Sequence, residues 1–156
     1  MIEQLFSLLK KMPEYTGALE SLRQGDNVAI TGIGQINRSH ILAGLSRELK
    51  KPMVLLCQDE MAARRLQEEL KGFLEEDVPI LPGRELTLYD AAVVSRSWEQ
   101  KRLRQLCDLT EGRTPIQIMS WESLSLRTMP PAVLKQASFR LEIGREYPMD
   151  DLTTRL

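Results

Sequence analysis

The chain has 156 residues, of which 42% are hydrophobic and 28% charged, a length that suits one domain or one domain and the beginning of another. Its 21 basic and 22 acidic residues give a formal net charge of -1, which argues against general nucleic-acid or membrane-surface binding. Two cysteines without paired spacing predict neither a disulfide framework nor a metal site. No apolar run approaches the roughly 20 residues of a membrane span, and a cytoplasmic location is expected.

The first half of the chain alternates helical and strand patterns. Apolar residues at helical spacing predict a helix at the N-terminus, and Thr16 and Gly25 are expected to begin and end a second one. A third helix is predicted over about 37–50, and Asp59 is placed to cap a fourth. Continuous apolar runs predict buried strands at 27–31, 52–57 and 78–81. Because short connections join these elements, the order predicts an α/β fold with a mostly parallel sheet flanked by helices.

The second half begins less regularly. The sequence "SWEQ" at Ser97 fits a capping box for a helix that reaches about Leu109. A further buried strand is predicted at 114–119, followed by a short helix that the Pro130-Pro131 pair terminates. The sequence "SFRLEIG" then alternates like a strand with one solvated face, and a last helix pattern runs to Leu156. We therefore expect one domain over 1–137 and the beginning of a small α+β second domain over 138–156.

The stretch "NVAITGIGQINRSHIL", residues 27–42, has the order of a phosphate-binding loop: strand, glycine turn, helix start. A working loop reads G-x-x-x-x-G-K-[ST], in which the lysine neutralises phosphate and the hydroxyl holds magnesium. In this chain the four template positions are occupied by Ala29, Gly34, Gln35 and Ile36. Gln35 carries no charge and Ile36 offers a metal ion no oxygen. The loop is therefore predicted to be degenerate, with Gly32 and Gly34 making only the tight turn.

Three groups of residues near this loop and beyond it have alternative interpretations. Arg38, one helical turn past the lysine position, has the reach to contact an anion. A basic group in the helix after Ser97 is interpreted as a solvated face, with phosphate-backbone or partner contact as the alternative. This group consists of Arg96, Lys101, Arg102 and Arg104. An acidic set is expected on a solvated helix face and its end: Glu68, Glu69, Glu75, Glu76 and Asp77.

The remaining candidates are interpreted as packing residues. His40 is the only histidine, so no Ser-His pair or His-metal set is available, and no catalytic residue is predicted. Cys57 and Cys107 are expected to pack in apolar or helical surroundings. Trp98 and Trp121 are expected to be core or interdomain anchors.

These segments together resemble the N-terminal region of the transcription-repair coupling factor (Mfd) family. The resemblance rests on the loop "AITGIGQI", on "LTLYDAAVVSRSWEQKRLRQL", and on the run from "SWESLSL" to Leu156, and it covers about residues 20–156. That region is similar to UvrB, whose loop is intact whereas the family's loop has decayed. The resemblance implies a RecA-like, P-loop-like domain that has lost nucleotide binding.

The resemblance also implies a role in nucleotide-excision repair. Family members displace RNA polymerase stalled at damaged DNA, using ATP and Mg in motor domains C-terminal to this region. The N-terminal region is expected to be an adaptor that contacts UvrA, mainly through the part of the second domain beyond Leu156. The segment itself is expected to have no ATPase activity and no cofactor. The alternatives are a nucleotide-binding enzyme with an atypical loop and a DNA-binding, helicase-like module related to UvrB.

Overall fold

The computed structural model describes residues 2–83, 96–139 and 141–155. In this part of the chain the helices are α1 (Ile2–Leu9), α2 (Pro13–Gln24), α3 (Gln35–Leu49), α4 (Glu60–Leu74), α5 (Arg96–Thr110), α6 (Trp121–Ser125), α7 (Pro131–Ala137) and α8 (Met149–Arg155). The strands are β1 (Met53–Cys57), β2 (Ile80–Leu81) and β3 (Ile116–Ser120). The predicted alternation of strands and helices is confirmed from β1 to α6, whereas the strand predicted before α3 is absent from the described residues.

The strands form an open three-stranded sheet in the order β1-β3-β2, and both pairings are parallel. β3 occupies the middle, where Ile118 pairs with Leu55 on one side and with Ile80 on the other. All five residues of β3 are buried, as expected for a central strand of a covered parallel sheet. The predicted α/β class with a parallel sheet and flanking helices is therefore confirmed at this level.

One face of the sheet packs against α4. This helix begins at Asp59, whose carboxylate accepts a hydrogen bond of 2.7 Å from the Ala62 amide, so the predicted cap is confirmed. Its apolar stripe buries Ala63 and Leu70 in the same core cluster as Leu55 and Ile118.

α1 and α2 extend this core by packing on α3. Gly44 of α3 permits the close approach, because a Cβ there would lie 2.7 Å from Leu9 Cδ1 and 2.8 Å from Tyr15 Oη. α2 begins with Pro13 at its first position and ends at Gly25, whose φ of 89° is left-handed. The predicted end of α2 is confirmed, whereas Thr16 lies inside the helix and bonds back to the Met12 and Pro13 carbonyls.

The strand predicted at 27–31 is wrong. These residues have no regular structure and are mostly exposed, with Ile30 44% exposed. In the described part of the chain β1 pairs only with β3, so β1 is an edge strand. Its alternate residues Val54 and Leu56 are 59% and 50% exposed. An apolar run therefore identified a strand here, but it did not reveal that only one face is covered.

Two helix boundaries also differ from the sequence prediction. Ser97 lies within the first turn of α5, because that helix already includes Arg96, so Ser97 is not its cap. Pro130 and Pro131 begin α7 instead of ending α6, which finishes at Ser125. Proline fits the first position of a helix because its missing amide hydrogen has no intrahelical partner there.

The C-terminal segment contains only part of the predicted pattern. No strand is present at 138–139 or 141–148, where a turn at Gly144 (φ 87°) interrupts the extended pattern. The last predicted helix is confirmed as α8. The domain boundary near residue 138 stays a prediction, and the "LYD" segment at 88–90 lies outside the described residues.

Candidate functional site: the turn before α3 and the Glu69 carboxylate

The turn that precedes α3 is built by two glycines. Gly32 adopts a φ of 76°, a left-handed conformation that glycine accepts without steric cost. Gly34 is the N-cap of α3 and offers no side chain to the free amides of the first turn. The predicted turn role of both glycines agrees with these conformations.

The other loop residues point mostly to solvent. Ala29 is exposed, and Ile36, in the first turn of α3, is 57% exposed. Arg38 is also exposed on the first turns of the same helix. The only loop side chain that reaches another helix through a hydrogen bond, among the described residues, is Gln35. Its amide nitrogen donates to Oε1 of Glu69, on α4, at 2.8 Å.

Glu69 connects α3 and α4 at this point. Its second carboxylate oxygen accepts a hydrogen bond from the hydroxyl of Ser39, which is fully buried. Gln35 and Ser39 are four residues apart, so they lie on one face of α3 and hold the same carboxylate. The sequence predicts that Glu69 lies on a solvated helix face. The structure corrects this, because the carboxylate is half-buried and bonded to α3.

This arrangement places a negative charge where a phosphate loop needs a positive one. Position 35 is the lysine position of the template, and here its side chain is bonded to a carboxylate. Near a protein surface two like unit charges about 4 Å apart repel each other by about 4 kcal/mol. The free amides of α3 still carry a partial positive charge, but that effect is typically about 0.3–1 kcal/mol. The local electrostatics therefore disfavour a phosphate beside Gln35.

The carboxyl end of β1 lies near the same region. Burial raises the pKa of the Cys57 thiol, the charge of Asp59 raises it further, and the Arg38 guanidinium partly offsets both. A thiol with a raised pKa is a poor nucleophile at neutral pH. Cys57 thus fits the packing role that the sequence predicts.

The basic group of α5 does not form one surface. Lys101 and Arg104 are exposed, whereas the Arg96 side chain lies outside what the structure describes. Arg102 is only 6% exposed, and its guanidinium donates to the Pro82 carbonyl at 2.7 Å and to the Ser123 carbonyl at 3.0 Å. A contact between Arg102 and an external phosphate would require these two hydrogen bonds to break.

Two of the three aromatic residues that were expected to pack are at least half-buried, and the third is exposed. His40 lies between Phe6 and Phe73, with ring centroids 5.6 Å and 5.0 Å away, which agrees with the predicted packing role. Trp98 donates its indole hydrogen to the Gly83 carbonyl and is half-buried. Trp121 is 61% exposed, so it is not a core residue of the described structure.

The described residues contain no group of three or more His, Cys, Asp or Glu side chains placed to hold a metal ion. None of the described helices combines the length and apolar composition needed to cross a bilayer.

Sequence comparison identifies proteins to which the chain is similar. Over 150 residues the chain is 30% identical to a transcription-repair-coupling factor of Myxococcus xanthus, a match that covers 91% of the chain and 12% of the relative. Over 157 residues it is 24% identical to the transcription-repair-coupling factor of Bacillus subtilis (strain 168), covering 99% of the chain and 13% of the relative. The chain is similar to transcription-repair-coupling factors.

The resemblance to coupling factors that the sequence segments indicate is thereby confirmed. The chain spans about one eighth of the length of these relatives. No protein-family model matches the chain, and no solved structure matches it significantly.

The sequence alone did not identify Glu69 as part of this site. A signal was present, because Glu69 lies three residues after Leu66 and four before Phe73, two members of the apolar stripe of α4. A carboxylate at the border of a buried stripe is able to reach a neighbouring helix. Which helix it reaches depends on how α3 packs, and that is not encoded in local spacing.

Proposed function

We propose that this chain is an adaptor module of a transcription-repair coupling protein and that it does not hydrolyse ATP. The observation that carries the proposal is the Glu69 carboxylate bonded to Gln35, the position where a working phosphate loop has lysine. Ile36 next to it supplies no oxygen for magnesium. The similarity of nearly the whole chain to coupling factors supports the repair context.

In this proposal the domain is a degenerate relative of P-loop, RecA-like domains. The sequence predicts that the turn at Gly32 and Gly34 is kept for strand-to-helix geometry, but no strand precedes it among the described residues. In this proposal the turn is kept because it leads into α3, and the groups that bind a nucleotide are other residue types. ATP and magnesium would act in motor segments of the longer family proteins. DNA and RNA polymerase would be contacted by those other segments, and UvrA by the second domain that begins near residue 138.

Binding of UvrA tests the recruitment role. We expect purified UvrA to bind a longer chain containing the complete second domain, and to bind the 156-residue chain at least about tenfold more weakly, a difference of about 1.4 kcal/mol. Biolayer interferometry with immobilised UvrA measures both affinities. If both chains bind UvrA equally weakly, the recruitment role is contradicted. If the 156-residue chain hydrolyses ATP, the proposal that it lacks ATPase activity is contradicted.

A further inference from the structure

Gln35 and Ser39 hold a carboxylate from inside the protein at the start of α3. The Gln35 amide nitrogen lies 2.8 Å from Glu69 Oε1, and the Ser39 hydroxyl donates to the other oxygen. Both donors belong to α3 and the acceptor belongs to α4, so the bonds cross between two packed helices. The Glu69 side chain is half-buried and Ser39 is fully buried, which limits the freedom of the carboxylate to turn away.

We propose that Glu69 is the specificity-determining residue that excludes phosphate groups from this turn. The inference rests on the proposed function and deepens it, because it identifies which group prevents the turn from binding phosphate. The missing lysine is then only half of the explanation. The other half is a negative charge that competes with any incoming anion.

This assignment has a consequence for the lysine position itself. A lysine side chain at position 35 is one atom longer than glutamine, so it has the reach to form an ion pair with Glu69. That pair would neutralise the cation and leave little attraction for phosphate. Restoring the lysine alone would therefore fail to restore anion binding, whereas restoring it together with neutral glutamine at position 69 would succeed.

The test uses five proteins, of which one is a matched control, and one probe. The unmodified chain, Gln35→Lys, Glu69→Gln and the double variant are titrated with inorganic triphosphate at low salt by isothermal calorimetry. The matched control is Gln35→Lys combined with Glu68→Gln, because Glu68 is an exposed neighbour on α4 and its removal changes the net charge equally. Circular dichroism establishes that each variant is folded, and Glu69→Ala replaces Glu69→Gln if the latter unfolds.

We expect the double variant to bind triphosphate at least about tenfold more tightly than Gln35→Lys alone, equivalent to about 1.4 kcal/mol. The control with Glu68→Gln should bind triphosphate with the same affinity as Gln35→Lys alone. A gain in triphosphate affinity below tenfold, or an equal gain in affinity in the Glu68 control, would overturn the role of Glu69. Either result would remove Glu69 from the support of the proposed function, whereas the proposed function itself fails only if the unmodified chain binds or hydrolyses ATP.

Discussion

At the residue scale, His40 shows how the fold controls the charge of a single group. Burial between the Phe6 and Phe73 rings lowers the pKa of the imidazole, and a hydrogen bond to the Leu5 backbone only partly opposes this. Its Nε2 atom is buried without a hydrogen-bond partner. The neutral form is therefore favoured in the folded state, where it helps to connect α1, α3 and α4.

The lowered pKa predicts how stability depends on pH. Below about pH 6.5, the usual value for histidine, the unfolded chain binds a proton that the folded chain resists. The contribution of neutral His40 should thus be fully present above that pH and be lost as the pH falls through the window below it. The free energy of unfolding, measured in urea between about pH 5 and 8, checks this slope.

The control for this prediction is His40→Leu, which keeps an apolar side chain and removes the titration. Just below pH 6.5, the free energy of unfolding of this variant should change less with pH than that of the unmodified chain. Because the chain has one histidine, a single NMR titration reports its pKa directly. A measured value at or above 6.5 would contradict the explanation.

At the element scale, Arg102 connects three segments that are distant in sequence. Its guanidinium donates to Pro82, just after β2, and to Ser123 in α6, while its own backbone belongs to α5. Burial lowers the pKa of this group, and both acceptors are backbone carbonyls. The planar fork of arginine suits such a divided contact better than the single ammonium of lysine.

Replacing Arg102 by methionine should therefore lower stability. The change keeps most of the apolar stem but leaves two carbonyls without their donor, a cost of about 1–3 kcal/mol. The matched control is Arg104→Met on the same helix, where an exposed side chain should change stability by about 0.5 kcal/mol or less. Equal effects of the two substitutions in thermal unfolding would show that the Arg102 hydrogen bonds do not hold these segments together.

Local signals predicted some elements of this fold better than others. The Asp59 cap, the end of α2 at Gly25 and the strands β1 and β3 follow from short-range chemistry, and all four are confirmed. Residues 27–31 contain the apolar run Val28, Ala29 and Ile30 but pair with no strand of the described structure. Strand formation requires a partner as well as a suitable sequence, and composition does not report the partner.

In the candidate site, too, the sequence predicts what depends on neighbouring residues but not what depends on contacts between distant ones. The absence of lysine at position 35 is readable from the sequence, because the template spacing is local. The carboxylate that binds Gln35 comes from a residue 34 positions away, so only the packing of α3 on α4 reveals it. The inward turn of Arg102 was missed for a similar reason, since its acceptors lie 20 and 21 residues away.

At the scale of the whole molecule, the described residues form a small parallel α/β core, and a turn at Gly32 and Gly34 leads into α3. The core is sufficient to fix the turn before α3, because α1, α2 and α4 all pack against that helix. The similarity to coupling factors covers nearly the entire chain but only about one eighth of each relative.

Calorimetric titration of the unmodified chain with ATP and magnesium shows whether the turn before α3 binds a nucleotide. With a carboxylate beside position 35 and no magnesium ligand at position 36, we predict no saturable binding up to millimolar nucleotide, which corresponds to a binding free energy weaker than about -4 kcal/mol. Saturable binding with a dissociation constant in the micromolar range, lost when Gly34 is replaced by a bulky residue, would contradict this prediction.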